Sequence, residues 1–305
     1  MIFQVIHKTT YKYDNFVSYC HNMATLRPRD LSGQKLLDFK LDIEPSPSEI
    51  NERTDFFGNY LTRFSIQEPH NELIVSSKSI IERDFNSIVA SYNSSNCRMV
   101  TMSSAIDQLK TQLTADCLNA RQYLLESPLI RKVSPVIKNY GTESFQPNRS
   151  VFDAAKELMQ RIFTDFKFVP GFSDVATPLH EVFEERKGVC QDFAQIAIAC
   201  IRLVGLPARY MSGYIETIPP AGQEKLIGAD ASHAWFSIFI PGFGWVDFDP
   251  TNNLIPENQH LVVAWGRDYY DVPPLKGVIY SNGKNEMNVS VDIREIEYDT
   301  QPQTK

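Results

Sequence analysis

The chain has 305 residues, 43% hydrophobic and 22% charged, a composition typical of soluble globular proteins. Its 30 Lys and Arg against 37 Asp and Glu give a formal net charge of −7, which supplies no general attraction to nucleic acid or anionic lipid. Five scattered cysteines without a CxxC pair argue against a disulfide framework and against a structural zinc site.

The sequence contains no run of about 18 apolar residues, so it predicts no membrane span. Residues 1–8 lack the basic region and apolar core of a signal peptide. Together with the cysteine usage, these features predict a cytoplasmic protein of about two domains, without nucleic-acid or membrane partners. The oligomeric state stays open.

Residues 1–95 are predicted to form a small β domain, either one sheet or a sandwich. Apolar side chains alternate with charged ones along 37–44, which is typical of a half-buried strand that ends at Pro45. Residues 55–59 are interpreted as a tight turn before a strand at 60–66, the expected hairpin partner of that first strand. Another extended run covers about 72–81.

The pattern becomes helical after the polar stretch at 93–96, and residues 96–270 are predicted to form a second domain. One helix stripe is expected at Phe152, Ala155, Met159, Ile162, Phe163 and Phe166. Residues 190–204 are apolar on nearly every face, which favours a helix in the middle of the domain. Strand candidates follow at 208–216, 233–240 and 244–248, and this order predicts an α+β fold.

The C-terminal segment, 271–305, contains a turn signal at 281–283 and an alternating run from Met287 to Ile293. We expect it to form a β hairpin that packs back on the N-terminal β region.

Cys190 stands at the start of the predicted central helix, directly after Gly188 and Val189. A thiol at a helix N-terminus meets the partial positive charge of unpaired backbone N–H groups, which favours the thiolate form. A lone cysteine is more often a small buried hydrophobe, and Cys200 in the same helix fits that interpretation. Cys190 is a candidate nucleophile only if partners lie elsewhere in the chain.

His233 begins one predicted strand and Asp249 ends the next. Each alone is ordinary, because structural histidines are common and Asp-Pro is frequent in turns. With Cys190 they make a mechanism in which the cysteine attacks, the histidine accepts its proton and the aspartate orients the imidazole. Asp247 shares a strand face with Asp249 and is the rival for that last role. The other histidines have no partner pattern and are interpreted as structural: His7, His21, His70, His180 and His260.

Four blocks in this order resemble the bacterial transglutaminase-like superfamily: Gly188–Ala194, Gly205–Tyr214, Ser232–Trp235 and Gly244–Asn252. They cover about residues 150–255. The first 95 residues resemble the β domain that precedes the catalytic domain in these bacterial proteins, through Thr10–Tyr13, Leu26–Pro28 and Asp55–Asn59.

The resemblance implies a papain-like core, in which a central helix packs on an antiparallel sheet, and a catalytic triad of Cys190, His233 and Asp249. It favours Asp249 over Asp247, and neither a metal nor a cofactor is implied. The residues expected to support or surround the site are Asp192, Arg209, Tyr214, Trp235 and Asp247. Asp192 is interpreted as a helix-capping carboxylate, and Trp235 either shields the triad from water or packs in the core.

Two functional hypotheses follow from the resemblance, because the family includes cross-linking enzymes, peptidases, amidases and proteins that have lost catalysis. The first is a thiol enzyme that acts on a peptide or carboxamide bond through an acyl-thioester, with hydrolysis favoured over protein-glutamine cross-linking and a peptide or protein as substrate. The oxyanion donors would be the Cys190 backbone N–H and a second, unidentified group. The second hypothesis is a catalytically silent scaffold. Specificity is expected from the loop at about 217–232 and from the N-terminal domain.

Overall fold

The computed structural model describes residues 1–84, 95–217 and 230–298, which form an α+β fold. The strands are β1 Ile2–Val17, β2 Tyr19–Ala24, β3 Gln34–Glu44, β4 Glu49–Thr54, β5 Tyr60–Ile66, β6 His70–Arg83, β7 Lys167–Phe168, β8 Lys187–Gly188, β9 Ala208–Ile215, β10 Ala231–Ile240, β11 Gly244–Phe248, β12 His260–Gly266, β13 Leu275–Tyr280 and β14 Asn285–Glu295. The helices are α1 Ser95–Met99, α2 Met102–Thr111, α3 Ala115–Arg121, α4 Pro135–Ser144, α5 Val151–Asp165, α6 Leu179–Glu185 and α7 Cys190–Leu203. None of the helices in these ranges is long and apolar enough to cross a membrane.

The N-terminal strands build two four-stranded antiparallel sheets. One has the strand order β14-β1-β6-β3 and the other β13-β2-β5-β4. Buried side chains of both sheets, among them Val17, Phe64, Ile66 and Leu73, form one hydrophobic cluster. The two sheets therefore pack face to face as a sandwich.

The prediction that β3 and β5 form a hairpin is wrong. β5 pairs instead with β4 across the turn at 55–59, whereas β3 pairs with β6. All six side chains of β4 are exposed, so this strand carries no hydrophobic alternation that the sequence could reveal.

The C-terminal strands also differ from the expected hairpin. β13 pairs with β2 and β14 pairs with β1, so the two strands lie in different sheets and not against each other. Each one extends an edge of the N-terminal sandwich, which satisfies the backbone groups of that edge. The domain bounds at 95 and 270 stay a prediction.

Helix α7 forms the centre of the second region, as its sequence predicts. Every residue from 192 to 202 is buried, and the helix packs against β10, β9, α4, α5 and α6. The four-stranded sheet of this second region has the order β11-β10-β9-β12. The residues of the predicted stripe are buried except Phe163, which is 48% exposed.

Two side-chain amides connect the N-terminal sandwich to the outer edge of β12. Gln34 Nε2 donates to Val262 O (2.8 Å), and Gln34 Oε1 accepts from Val262 N (2.9 Å). Asn59 repeats this pattern at Trp265, with 2.8 Å from Nδ2 to the carbonyl and 3.0 Å from the backbone nitrogen to Oδ1. Each amide thus occupies the hydrogen-bonding positions that a neighbouring strand would fill.

The substitution Asn59→Leu is expected to lower the free energy of unfolding by about 3 kcal/mol, because it removes the buried Asn59 amide that bonds the backbone N–H and C=O of Trp265. Urea denaturation monitored by circular dichroism measures this loss. The matched control Asn51→Leu, on the exposed strand β4, is expected to change stability by less than about 0.5 kcal/mol. Equal stability of the two variants would contradict a stabilising role for the Asn59 amide.

Candidate active site

The turn before α7 is closed by Asp192. Its Oδ2 accepts hydrogen bonds from the Val189 backbone N–H (2.8 Å) and from the Ser173 hydroxyl. Burial raises the pKa of Asp192, although both hydrogen bonds act in the opposite direction. A Cβ atom at position 188 would lie 2.7 Å from Asp192 Oδ2, so this close approach requires glycine. Asp192 therefore fixes the backbone that presents Cys190.

Cys190 is the first residue of α7 and is half-buried, whereas the other four cysteines are buried. Its side chain interacts electrostatically with His233, and both residues line the same cleft. The helix start thus places the thiol at the cleft wall, beside an imidazole from β10.

His233 is held by Asp249, which directly follows β11. The distance from His233 Nε2 to Asp249 Oδ2 is 2.7 Å, and the carboxylate is fully buried. Because Nε2 is engaged with Asp249, Nδ1 is the ring nitrogen left for the Cys190 thiol. Asp249 Oδ1 accepts from the backbone N–H groups of Thr251 (2.9 Å) and Asn252 (3.2 Å).

The electrostatics of this pair favour charges on both partners. Burial lowers the pKa of His233, but hydrogen bonds to Asp249 and Cys190 outweigh it and raise the pKa to about 10. Burial raises the pKa of Asp249, but hydrogen bonds from His233 and His260 hold it well below the usual range. At neutral pH an imidazolium therefore lies between the Cys190 sulfur and a carboxylate.

Asp247 and Trp235 form a separate contact. Trp235 Nε1 donates to Asp247 Oδ2 at 3.0 Å, so the rival carboxylate is bonded to the indole and not to His233. The Trp235 ring stacks on His233, with centroids 6.0 Å apart and planes 28° from parallel. Trp235 is fully buried, and its ring lies against the His233 ring.

Arg209 and Tyr214 contact other parts of the molecule than the three triad candidates. The Arg209 guanidinium lies over the rings of Trp245 (4.4 Å) and Trp265 (4.0 Å). Tyr214 is hydrogen-bonded to the Ser77 hydroxyl and packs its ring on His7, at 5.6 Å between centroids. Arg209 and Tyr214 thus connect β9 to neighbouring elements, and their expected support of the site stays a prediction.

The residue that sequence reasoning missed is His260, on β12. Its Nε2 lies 2.9 Å from Asp249 Oδ2, the same oxygen that accepts from His233. Its ring also packs edge-on against Trp235, with centroids 5.0 Å apart. The available signal was the apolar run 261–265, which is typical of a buried strand and would have placed His260 at a strand end like His233.

His233, Asp249 and His260 also form a candidate cluster for a metal ion. Two ligands of one tetrahedral zinc ion at about 2.1 Å would lie about 3.4 Å apart. The Nε2–Oδ2 separations of 2.7 and 2.9 Å are instead hydrogen-bond distances. This donor set fits a hydrogen-bonded network around a carboxylate better than a metal centre.

The cleft at Cys190 has a volume of about 250 Å³ and is built from distant parts of the chain. One wall comes from the α7 start, β9 and β10; the other comes from alternate residues of β1 together with β14. Its described lining includes Tyr11, Tyr210, Tyr269, Leu275 and Met287, with no Lys, Arg, Asp or Glu. The loop from which specificity was expected lies mostly outside the described residues.

Comparison with known proteins identifies the family. Residues 3–82 match the bacterial transglutaminase-like N-terminal region, and residues 138–250 match the transglutaminase-like superfamily. An uncharacterized protein of Mycobacterium tuberculosis is 36% identical over 307 residues, covering 97% of this chain and 94% of its own length. The chain belongs to the transglutaminase-like superfamily, which confirms the family and the α+β fold class expected from the sequence.

Two further similarities bear on the fold and the chemistry. The crystal structure of "a Putative Cysteine Protease from Cytophaga hutchinsonii" has a TM-score of 0.75 with this chain, covering 99% of it and 93% of that structure at 22% identity. This likeness shows a common fold. A protein-glutamine gamma-glutamyltransferase of Pseudomonas aeruginosa is 35% identical over 104 residues, which are 32% of this chain and 16% of that enzyme.

Cys190 is expected to react with iodoacetamide at least about 10-fold faster than any other cysteine at neutral pH, because the other four are buried whereas Cys190 is half-buried beside the His233 imidazolium. Peptide mapping by mass spectrometry after a brief exposure measures the order of labelling. Labelling in denaturant serves as the control and should modify all five cysteines alike. Faster modification of Cys97 or Cys117 in the folded protein would contradict the prediction.

Proposed function

We propose that the protein is a thiol hydrolase that cleaves a peptide or carboxamide bond through an acyl-thioester on Cys190. The observation that carries this proposal is the hydrogen bond from His233 to the buried Asp249, at a cleft whose wall also holds the Cys190 side chain, which interacts with the same imidazole. This chemistry needs a nucleophile, a base and a carboxylate that orients the base, in that order.

In the acylation half of the reaction, the Cys190 sulfur attacks the carbonyl carbon of the substrate. The developing oxyanion is stabilised by the backbone N–H at the start of α7, where helix N–H groups lack internal partners. The His233 imidazolium then gives its proton to the departing amine or ammonia as the carbon–nitrogen bond breaks. The acyl group stays on sulfur, and His233 is left neutral.

In the deacylation half, neutral His233 takes a proton from water as the water oxygen attacks the thioester carbon. The carbon–sulfur bond breaks, the acid product leaves, and the thiolate–imidazolium pair is restored. Asp249 keeps the ring in the tautomer that presents Nδ1 to the reaction through both halves.

The cleft supports a peptide or protein as substrate, with an uncharged side chain next to the bond that is cleaved. Met287 and Val289 on β14 are apolar yet 57% and 41% exposed beside the cleft, where an extended chain would cover them. The wall opposite Cys190 includes Thr9 and Tyr11 of β1. A cytoplasmic location is part of this proposal.

Cross-linking is the second candidate reaction, favoured by the similarity to the Pseudomonas aeruginosa protein-glutamine gamma-glutamyltransferase. It differs only in the acceptor, since a primary amine would attack the thioester in place of water. A silent scaffold is less favoured, because His233 interacts with Cys190 and is hydrogen-bonded to Asp249.

The substitution Cys190→Ser is expected to reduce turnover at least about 10³-fold, because the serine hydroxyl ionises far less readily beside His233. The assay offers peptides with apolar or charged flanking residues and glutamine-containing proteins, with and without a primary amine. It measures new termini, ammonia and amine incorporation, which separate peptidase, amidase and transglutaminase activity.

The control Cys117→Ser removes a buried thiol on α3, far in sequence from the cleft-lining residues, and should keep activity wherever the protein stays folded. Activity that survives in Cys190→Ser would refute the acyl-thioester mechanism. A wild-type protein that acts on no member of the panel would favour the scaffold.

Turnover is expected to fall as the pH rises through about 10, because His233 must be protonated to release the amine and its pKa is about 10. Asp249→Asn removes the charged partner that raises this pKa. The alkaline decline of kcat should therefore move to a pH that is lower by about 1–3 units. The measurement is kcat between pH 5 and 11, with circular dichroism to confirm folding at each pH. An unchanged alkaline decline in Asp249→Asn would show that another group controls it.

A further inference from the structure

Asp249 Oδ2 is shared by three donors, and only one of them belongs to the triad. His233 Nε2 lies at 2.7 Å, His260 Nε2 at 2.9 Å and Asn252 Nδ2 at 2.7 Å. The second imidazole approaches the carboxylate from β12, on the side of the sheet that the N-terminal sandwich covers through Gln34. The orienting carboxylate is thus fixed between two histidines from different strands.

The surroundings of His260 determine which ring nitrogen carries its proton. The residue is 1% exposed, and its Nδ1 has no hydrogen-bond partner among the described residues. A neutral imidazole has one N–H, and Asp249 is the acceptor in reach, so the proton lies on Nε2. Burial lowers the pKa of His260 more than Asp249 raises it, which agrees with a neutral ring.

Two charged residues, Lys156 and Glu257, line a pocket that His260 also borders. Asp249 bonds to the His260 ring, His233 lies 5.7 Å away between ring centroids, and Asp247 acts on it electrostatically from β11. The imidazolium charge of His233 disfavours a second cation next to it. A single positive ring and a single neutral ring therefore share the carboxylate.

We propose that His260 is a positioning residue, which donates a hydrogen bond from a permanently neutral ring to Asp249 and so holds the carboxylate in line with His233. It is absent from the cleft lining, so it acts on the reaction only through Asp249. This inference rests on the proposed function for its kinetic consequence, but the effect on His233 exists whether or not a substrate is known.

The loss of this donor has a definite direction. With one hydrogen bond fewer, the negative charge of Asp249 is less well stabilised and attracts the His233 proton more strongly. The midpoint of the His233 titration should therefore rise by about 0.5–1 pH unit. The carboxylate also gains freedom to turn, which misaligns the imidazole and lowers kcat by about 10-fold. KM should stay unchanged, because the cleft lining is intact.

The test uses the full chain labelled with ¹⁵N in its histidines. In the wild type, His260 should show a protonated Nε2 and a bare Nδ1, and its ring should be neutral at pH 7. His260→Phe, a planar ring without a donor, should raise the midpoint of the His233 titration and lower kcat at constant KM. His260→Gln, which restores an N–H donor at similar reach, should recover most of both effects.

His70→Phe is the matched control, because His70 is also buried but lies in the N-terminal sandwich, bonded to Glu68 O. It is expected to change stability without moving the His233 titration. The proposal is overturned if His260 is charged at pH 7 or carries its proton on Nδ1 in the wild type, if His260→Phe leaves the His233 titration unchanged, or if His260→Gln behaves like His260→Phe. Absence of turnover in the wild type would refute the proposed function alone, since the spectroscopic arm needs no substrate.

Discussion

The site depends on one buried anion. The Asp249 carboxylate is fully buried, and a charge in that position is tolerated only when donors replace the water it has lost. Those donors come from His233 on β10, from His260 on β12 and from the backbone and side chain of Asn252 in the turn after β11. Each donor must lie within hydrogen-bond distance of the Asp249 carboxylate. This requirement fixes how these strands and their connecting turn meet.

The N-terminal sandwich is part of the site and not only an attached domain. Its amides at Gln34 and Asn59 cover the outer edge of β12, which is the strand that carries His260. Its strands β1 and β14 supply the cleft wall that faces Cys190. An edge strand left open would be free to pair elsewhere, so the sandwich both covers the edge of the second sheet and shapes the cleft at Cys190.

The sequence already contained most of the local structure. The apolar helix at 190–203, the three strands after it and the candidates Cys190 and His233 follow from periodicity and from the chemistry of a helix N-terminus. The preference for Asp249 over Asp247 came from the family resemblance, and the structure gives its physical basis, since Asp247 is bonded to Trp235. The catalytic roles of these residues stay a prediction.

Only the tertiary structure decided what lies next to what. The exposed strand β4 has no alternation to reveal it, and β13 and β14 pair with strands more than 250 residues earlier in the chain. His260 could not be linked to Asp249 from the sequence, because a histidine at a strand end looks the same whether its partner is water, backbone or a buried carboxylate. Periodicity reports which face of one element is buried, whereas hydrogen-bond partners depend on the three-dimensional approach of distant elements.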